Sequence, residues 1–151
     1  MATLNLPSNP KFETYNCKFY EFKPPGFESK VFAQILKEEV PSLDDMVYLK
    51  NDYELAHEIS SGSALKAIEM VRSESGFIIY KEYFDGIPLE SYLTNKEFSI
   101  PLFLQLAIRI TSLLKELHNK KIIVKEFTLE NILISRQSQE MRICCMGSCS
   151  N

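Results

Sequence analysis

The sequence has little glycine, no more proline than an average protein, and no excess of basic charge. It contains five glycines and seven prolines among 151 residues, which excludes a collagen-like or low-complexity chain. Lysine and arginine number 17 against 20 aspartates and glutamates, so the net charge is −3. Without a basic excess that would release counterions, nucleic-acid binding through bulk charge is excluded. Charged residues make up 25% and hydrophobic residues 45% of the chain, as is typical of a folded domain rather than a disordered one.

Targeting and membrane-spanning signals are also lacking. The N-terminal stretch MATLNLPSNPKFETYN has neither a basic nor an apolar segment, so it does not resemble a secretory signal. The longest apolar stretch, residues 100–117, is interrupted by Gln105, Arg109 and Lys115, which excludes a transmembrane span. We therefore expect a cytoplasmic protein that does not bind membranes.

The four cysteines lack the spacing of a metal site. Three of them, Cys144, Cys145 and Cys149, form the pattern C-C-x-x-x-C, without the paired C-x-x-C units and neighbouring histidine of a zinc site. We expect free thiols, placed in a strand and in the segment that follows it. His57 is followed by a glutamate but by no second histidine at helical spacing, so the zinc-protease motif is absent.

Patterns of apolar residues predict strands in the first half of the chain. Residues 11–23 alternate aromatic and polar side chains over much of their length, as in a strand whose successive side chains face opposite sides. The apolar run 31–36 predicts a short buried strand. Two more strands are predicted at 64–71 and 76–84, joined by a turn at 72–75.

Three helices are predicted among and after these strands. Ser42, with Asp45 three residues later, predicts a helix start. The serine and glycine residues at 60–63 are expected to end that helix. A short helix is predicted at 89–93, and a long one at 101–119.

Helix 101–119 is the most apolar element. Its predicted buried face is made by Phe103, Leu106, Ile110, Leu113, Leu114 and Leu117. Further apolar residues widen this surface beyond one stripe, which is typical of a helix inside a domain. Short apolar segments follow at 122–124, 131–135 and 141–145. Strands and helices that are segregated along the chain favour an α+β fold.

Two segments resemble parts of a protein kinase. Residues 79–93, IYKEYFDGIPLESYL, resemble the hinge, where a strand passes behind the adenine, crosses at Glu82 and Tyr83, and turns into a short helix. Residues 117–134, LHNKKIIVKEFTLENILI, resemble the catalytic segment LHxxGIIHKDIKPENILI in order and spacing.

The resemblance covers about residues 15–150, and 141–147 fall where kinases carry the strand ending in Asp-Phe-Gly. It is strongest to the kinase-like region at the N-terminus of large bacterial multi-sensor signalling proteins. It implies an N-lobe at 1–84, and the hinge with the start of a C-lobe at 85–151. Since family members continue through an activation loop and more helices, we expect a truncated domain whose helix 101–119 is covered by a protein partner.

The resemblance implies that the residues holding ATP are mostly replaced. A Gly-rich loop is lacking, because the first glycine, Gly26, comes after the strand pair that would carry it. Gln34 occupies the position of the third-strand lysine, and Asp52 that of its glutamate partner. Lys81 occupies the position that gates the back of the pocket. Either it supplies a stray positive charge there or the constraint on this position has relaxed, and we prefer the second interpretation. Together with the hinge residues Glu82 and Tyr83, we interpret Gln34, Asp52 and Lys81 as vestigial positions of a nucleotide-binding site.

The positions that perform catalysis are also altered. Val124 replaces the histidine of the catalytic loop, and Glu126 replaces the aspartate base. Glutamate has one methylene more than aspartate, which moves the carboxylate about 1.5 Å further from the backbone. A misplacement of a catalytic group by about 1 Å costs on the order of 100-fold in rate. Asn131 keeps the position that ligates a second magnesium ion. Cys145 replaces the main magnesium aspartate, and a thiol is a poor ligand for magnesium.

These replacements predict a pseudokinase-like domain that binds no cofactor, transfers no phosphate and acts as a signalling interaction module. Three alternatives stay open. The first is an atypical ATP-dependent Ser/Thr kinase that uses Glu126 as base and binds ATP weakly. The second is a gene remnant without function. The third is an unrelated α+β binding domain, which predicts that residues 31–36 and 77–83 are not strands of one sheet.

Overall fold

A five-stranded antiparallel sheet forms the first part of the protein. The computed structural model describes residues 6–59, 62–74, 76–94 and 96–150. The strands are β1 (Phe12–Glu13), β2 (Cys17–Phe22), β3 (Val31–Leu36), β4 (Ala67–Ser73) and β5 (Gly76–Glu82). Their order in the sheet is β1-β2-β3-β5-β4. Strands β3 and β5 are direct neighbours, so the alternative in which residues 31–36 and 77–83 belong to different sheets is wrong.

Helix α1 (Leu43–Glu58) follows β3 and begins where the sequence predicts. The Ser42 hydroxyl accepts a hydrogen bond from the backbone N–H of Asp45, whose carboxylate accepts one from the backbone N–H of Ser42. This reciprocal cap satisfies two N–H groups that the helix itself leaves without partners. The helix ends at Glu58, but the predicted break at 60–63 lies partly outside the described residues.

Strands β4 and β5 differ at their ends from the predicted 64–71 and 76–84. Residues Arg72 and Ser73, predicted as turn, continue β4. Ala64 leaves the sheet and bridges to Ile143, because the backbone of the 63–65 segment pairs with residue 143 instead. The fourth predicted turn residue, Ser75, lies outside the described residues.

A three-stranded sheet and two helices form the second part. The strands β6 (Ile87–Pro88), β7 (Ile132–Ile134) and β8 (Met141–Ile143) lie in that order, beside α2 (Leu89–Thr94) and α3 (Ile100–Asn119). The largest buried cluster joins side chains of α1, β5, α3, β7 and β8. Residues 122–124 do not form a strand, and only Ile123 makes an isolated bridge to Ser150. The predicted division into 1–84 and 85–151 stays a prediction.

Helix α3 buries one narrow stripe rather than the whole predicted face. Leu106, Leu113 and Leu117 are buried, but Phe103, predicted to lie with them, is 51% exposed. Its ring contacts Phe98, just before the helix, at 6.1 Å between centroids. The exposed apolar side of α3 comprises Ile100, Phe103, Leu104 and Ile108. No helix in the described ranges is both long and apolar enough to cross a membrane.

Candidate functional site

A buried ion pair lies at the centre of the molecule, where α1 crosses the five-stranded sheet. The Lys81 Nζ in β5 is 2.8 Å from the Asp52 Oδ1 in α1, and both side chains are fully buried. The same ammonium donates to the backbone carbonyl of Cys144 at 2.7 Å. Because buried charges are tolerated only when paired and hydrogen-bonded, these contacts explain how a lysine is accommodated there.

The carboxylate of Asp52 joins four parts of the chain. Besides the lysine, it accepts hydrogen bonds from the Gln34 Nε2 in β3 at 2.5 Å and from the backbone N–H of Met146 at 2.8 Å. The predicted neighbours Gln34 and Asp52 are therefore brought together. Asp52 ties α1 to β3, to β5 and to the segment that follows β8.

The interpretation of Lys81 as a relaxed position is wrong, because its ammonium supplies the positive charge opposite Asp52. Burial opposes charge on both groups. The Lys81 ammonium only partly offsets the rise that burial causes in the pKa of Asp52. Burial also lowers the pKa of Lys81, but the carboxylate of Asp52 together with Cys145 and Cys144 outweighs burial and holds this pKa above its usual range.

The four cysteines are buried free thiols, as predicted, and three of them lie beside this ion pair. Burial opposes ionisation of Cys145, but the neighbouring thiols of Cys144 and Cys17, together with the Lys81 ammonium, bring the pKa of Cys145 well below its usual range. The neighbouring Cys145, followed by burial, raises the pKa of Cys17. Burial raises the pKa of Cys149, the fourth thiol, to about 11.

The two predicted catalytic positions line a small cavity. It lies at one end of the cleft between the two sheets. It has a volume of about 310 Å³, and its walls include Thr14, Glu126 and Asn131. The turn between β1 and β2 closes over it, since the backbone N–H of Tyr15 donates to the Glu130 Oε1 at 2.7 Å. The cleft is closed at the place where kinases cover the phosphates with a Gly-rich loop.

The predicted magnesium positions, Asn131 and Cys145, do not fit that ion. The Asn131 Nδ2 donates to the backbone carbonyl of Cys145 at 3.2 Å, and its Oδ1 accepts from the thiol of Cys144 at 3.3 Å. Both amide atoms are thus engaged, and magnesium requires hard oxygen donors rather than a thiol. Across the described ranges, no group of three or more His, Cys, Asp or Glu side chains is placed to hold a metal ion.

The two hinge residues make contacts within the protein. The carboxylate of Glu82 accepts from the Arg142 Nη1 at 2.7 Å and from the backbone N–H of Lys66 at 3.1 Å. The ring of Tyr83 lies 5.2 Å from that of Phe32 between centroids. These contacts fix the segment that connects the two sheets.

Aromatic rings fill the space between the two sheets next to this segment. They form the aromatic cluster, which we define as Phe12, Phe19, Phe32 and Phe84, all buried. The first three come from β1, β2 and β3, with centroids 4.5–6.3 Å apart. Leu133 of β7 closes the cluster from the second sheet.

The aromatic cluster was not predicted from the sequence, because alternating aromatics in strands are typical of ordinary packing. The signal in the sequence that indicates the cluster is the position of two phenylalanines relative to the predicted site residues. Phe32 lies two residues before Gln34, and so on the same face of β3. Phe84 directly follows the hinge pair. Bulky rings at both places leave little room for a flat ligand between the sheets.

Gly147 lies directly against the ring of Tyr48. A methyl group added there would lie 2.5 Å from two carbon atoms of the ring. We expect Gly147→Ala to lower the free energy of unfolding by about 1–3 kcal/mol, since overpacking displaces buried groups. Gly62→Ala is the matched control, because its nearest neighbour is 4.0 Å away. Urea denaturation measures both, and equal losses would contradict this account.

A family model described as protein tyrosine and serine/threonine kinase matches residues 14–150. A search of curated proteins found no match. Among solved structures, the kinase domain of Mycobacterium tuberculosis PknI superposes with a TM-score of 0.72 at 14% identity, covering 94% of this chain and 59% of that one. A double mutant of that domain gives 0.74 at 16% identity, covering 99% and 64%. The chain spans about three fifths of those domains, and the likeness confirms the predicted fold.

Proposed function

Because the chain belongs to the protein tyrosine and serine/threonine kinase family, we propose that it is a pseudokinase-like domain that transfers no phosphate and acts in signalling by binding another protein. The observation that carries this proposal is the aromatic cluster. It fills the space beside the hinge with side chains of the protein itself. A nucleotide base would have to displace these buried rings before it could bind there.

The energetic cost of such displacement supports the proposal. Phe32 is fully buried, and Phe19 likewise. Exposing one such ring to water costs about 1.5–3 kcal/mol in lost hydrophobic burial. A base would also need polar partners from the hinge. The carboxylate of Glu82 in that segment is already engaged by Arg142.

The distribution of charge supports the same conclusion. Phosphoryl transfer in this family requires a lysine that reaches the phosphates, its glutamate partner and a magnesium-binding aspartate. Here Gln34 stands at the position of that lysine. The nearby Lys81 comes from another strand, and its ammonium is fully buried between Asp52 and a backbone carbonyl. Cys145 stands at the magnesium position. This arrangement stabilises the fold around α1, and it presents no positive charge to a ligand in the cleft.

We propose that the exposed apolar side of α3 is where a protein partner binds. Ile108 is 67% exposed, and Phe103 and Leu104 about half exposed. An apolar side of this kind is typical of an interaction surface. We propose no nucleic-acid or membrane partner, and no cofactor.

A second candidate function is a kinase that uses Glu126 as base. It is favoured by one observation, that Glu126 and Asn131 line the same cavity. Its weakness is that both amide atoms of Asn131 are engaged by the Cys144–Cys145 segment. The two candidates differ in whether Mg-ATP binds and reacts.

We expect no thermal stabilisation by Mg-ATP and no transfer of labelled phosphate to the protein or to a substrate mixture. A ligand at 100 times its Kd adds about 2.7 kcal/mol, or about 5–10 °C in Tm for a domain of this size. Differential scanning fluorimetry detects such a shift readily. An active kinase domain, assayed in parallel, provides the positive control.

Glu126→Ala separates true activity from contamination, with Glu90→Ala on α2 as a matched control. Phosphate transfer lost only in Glu126→Ala would overturn the proposal in favour of the active kinase. Transfer that persists equally in both variants comes from a contaminating enzyme.

A further inference from the structure

Two buried thiols from opposite sides of the cleft belong to one buried cluster and share a neighbour, the side-chain amide of Gln34. Cys17 begins β2 in the five-stranded sheet, and Cys145 follows β8 of the second sheet. The Gln34 Nε2 lies 3.2 Å from the sulfur of Cys17 and 3.6 Å from that of Cys145. The Gln34 amide therefore lies against both sulfurs, one from each side of the cleft. Nothing in the proposed function uses this pair.

We propose that Cys17 and Cys145 are a redox-sensitive pair that forms a reversible disulfide in the presence of hydrogen peroxide. The bond would join the first sheet to the segment after β8. It would also hold the turn between β1 and β2 closed over the 310 Å³ cavity. This proposal is independent of whether the domain binds nucleotide.

The reaction takes two balanced steps. Hydrogen peroxide oxidises the Cys145 thiol to a sulfenic acid, its O–O bond breaks, and one water leaves. The Cys17 sulfur then attacks the Cys145 sulfur, the S–O bond breaks, and a second water carries off the hydroxyl and the remaining thiol proton. The protein loses two electrons and two hydrogens, and peroxide is reduced to two waters. A dithiol such as dithiothreitol reverses the change.

The cavity offers a route for peroxide to Cys145. Thr14 and Asn131 line it, and each also contacts Cys145. The Thr14 Oγ1 lies 3.7 Å from the Cys145 sulfur, and the Asn131 Nδ2 donates to the Cys145 carbonyl. A cavity of this size accommodates peroxide, which is little larger than a water molecule of about 30 Å³. Both side chains therefore connect the wall of the cavity to residue 145.

Cys17 is a better partner for Cys145 than Cys144 is. Adjacent residues have Cα atoms about 3.8 Å apart, below the range of about 4.4–6.8 Å that ordinary disulfides span. The thiol of Cys144 also donates to the Asn131 Oδ1. Both points disfavour the vicinal bond, and Cys17, which lies against the same Gln34 amide, is the partner that we propose.

The experiment treats the native, unmodified chain with hydrogen peroxide, blocks the remaining thiols by alkylation, and maps the products by mass spectrometry. Trypsin releases Cys17 in peptide 12–18 and the other three cysteines in peptide 143–151. We expect these peptides to be cross-linked, with fragmentation placing the bond at Cys145. A vicinal Cys144–Cys145 bond, no cross-link, or only irreversible oxidation to sulfinic or sulfonic acid would overturn the proposal.

Thermal stability gives a second readout. A disulfide closing a loop of about 130 residues strongly restricts the unfolded chain. We therefore expect peroxide to raise Tm by at least about 5 °C, and dithiothreitol to reverse the shift. Cys17→Ala and Cys145→Ala should each abolish the shift, while the control Cys149→Ala keeps it. Loss of the shift in Cys149→Ala would contradict the pairing, and the cross-link map does not depend on any variant folding.

Discussion

Lys81→Met is expected to destabilise the protein by about 3–5 kcal/mol, because it leaves the carboxylate of Asp52 buried without its counter-charge. Both side chains of this pair are fully buried, so water cannot replace the lost ammonium. The backbone carbonyl of Cys144 loses its donor as well. Such a loss is a large part of the stability of an ordinary domain. Urea denaturation followed by circular dichroism measures the loss in the free energy of unfolding. A large fall in the yield of soluble protein also indicates such a loss.

Two controls identify the cause of that loss. Lys30→Met removes an exposed lysine that also pairs with a carboxylate, that of Glu21, and should leave the urea midpoint unchanged. The double variant Lys81→Met with Asp52→Asn removes both charges and keeps an oxygen that accepts the N–H of Met146. We expect it to recover at least half of the loss. A double variant as unstable as Lys81→Met alone would show that an unpaired charge is not the reason.

Phe32→Ala is expected to cost about 3–5 kcal/mol, as is typical when a buried phenylalanine is truncated. Its ring is fully buried and packs edge-on against Phe12 and Phe19. Truncation leaves a cavity between the two sheets, beside the hinge segment. Thermal and urea unfolding measure the loss.

The control for this prediction is Phe103→Ala on α3. That ring is 51% exposed, so its loss should lower the free energy of unfolding by less than about 1 kcal/mol. The cavity itself has a separate test, because dry apolar cavities bind small aromatic molecules. We expect indole to raise the Tm of Phe32→Ala but not that of the unmodified chain. Indole binding to both alike would show that the aromatic cluster does not fill the cleft.

Local signals in the sequence predicted the elements that carry the fold. The apolar run at β3 and the capping residues Ser42 and Asp45 were found where the structure has them. Their signals are short-range, since apolar periodicity and side-chain caps act within a few residues. The end of β4 was mispredicted, because Arg72 and Ser73 pair with β5 despite their polar side chains. Likewise, the exposure of Phe103 depends on what packs against α3 and not on the periodicity of the helix.

The sequence by itself predicted which residues stand at the family's positions, and thus that Gln34, Asp52 and Cys145 replace or alter its charged groups. Only the tertiary structure decided that Lys81 restores a charge opposite Asp52. In the sheet, Lys81 is paired directly with Phe32, so its side chain shares a face with those of Phe32 and Gln34. That face meets α1 and the segment after β8, which brings ammonium, carboxylate, thiols and rings together. Distances between residues far apart in the chain arise from strand register and packing, and no spacing within the sequence encodes them.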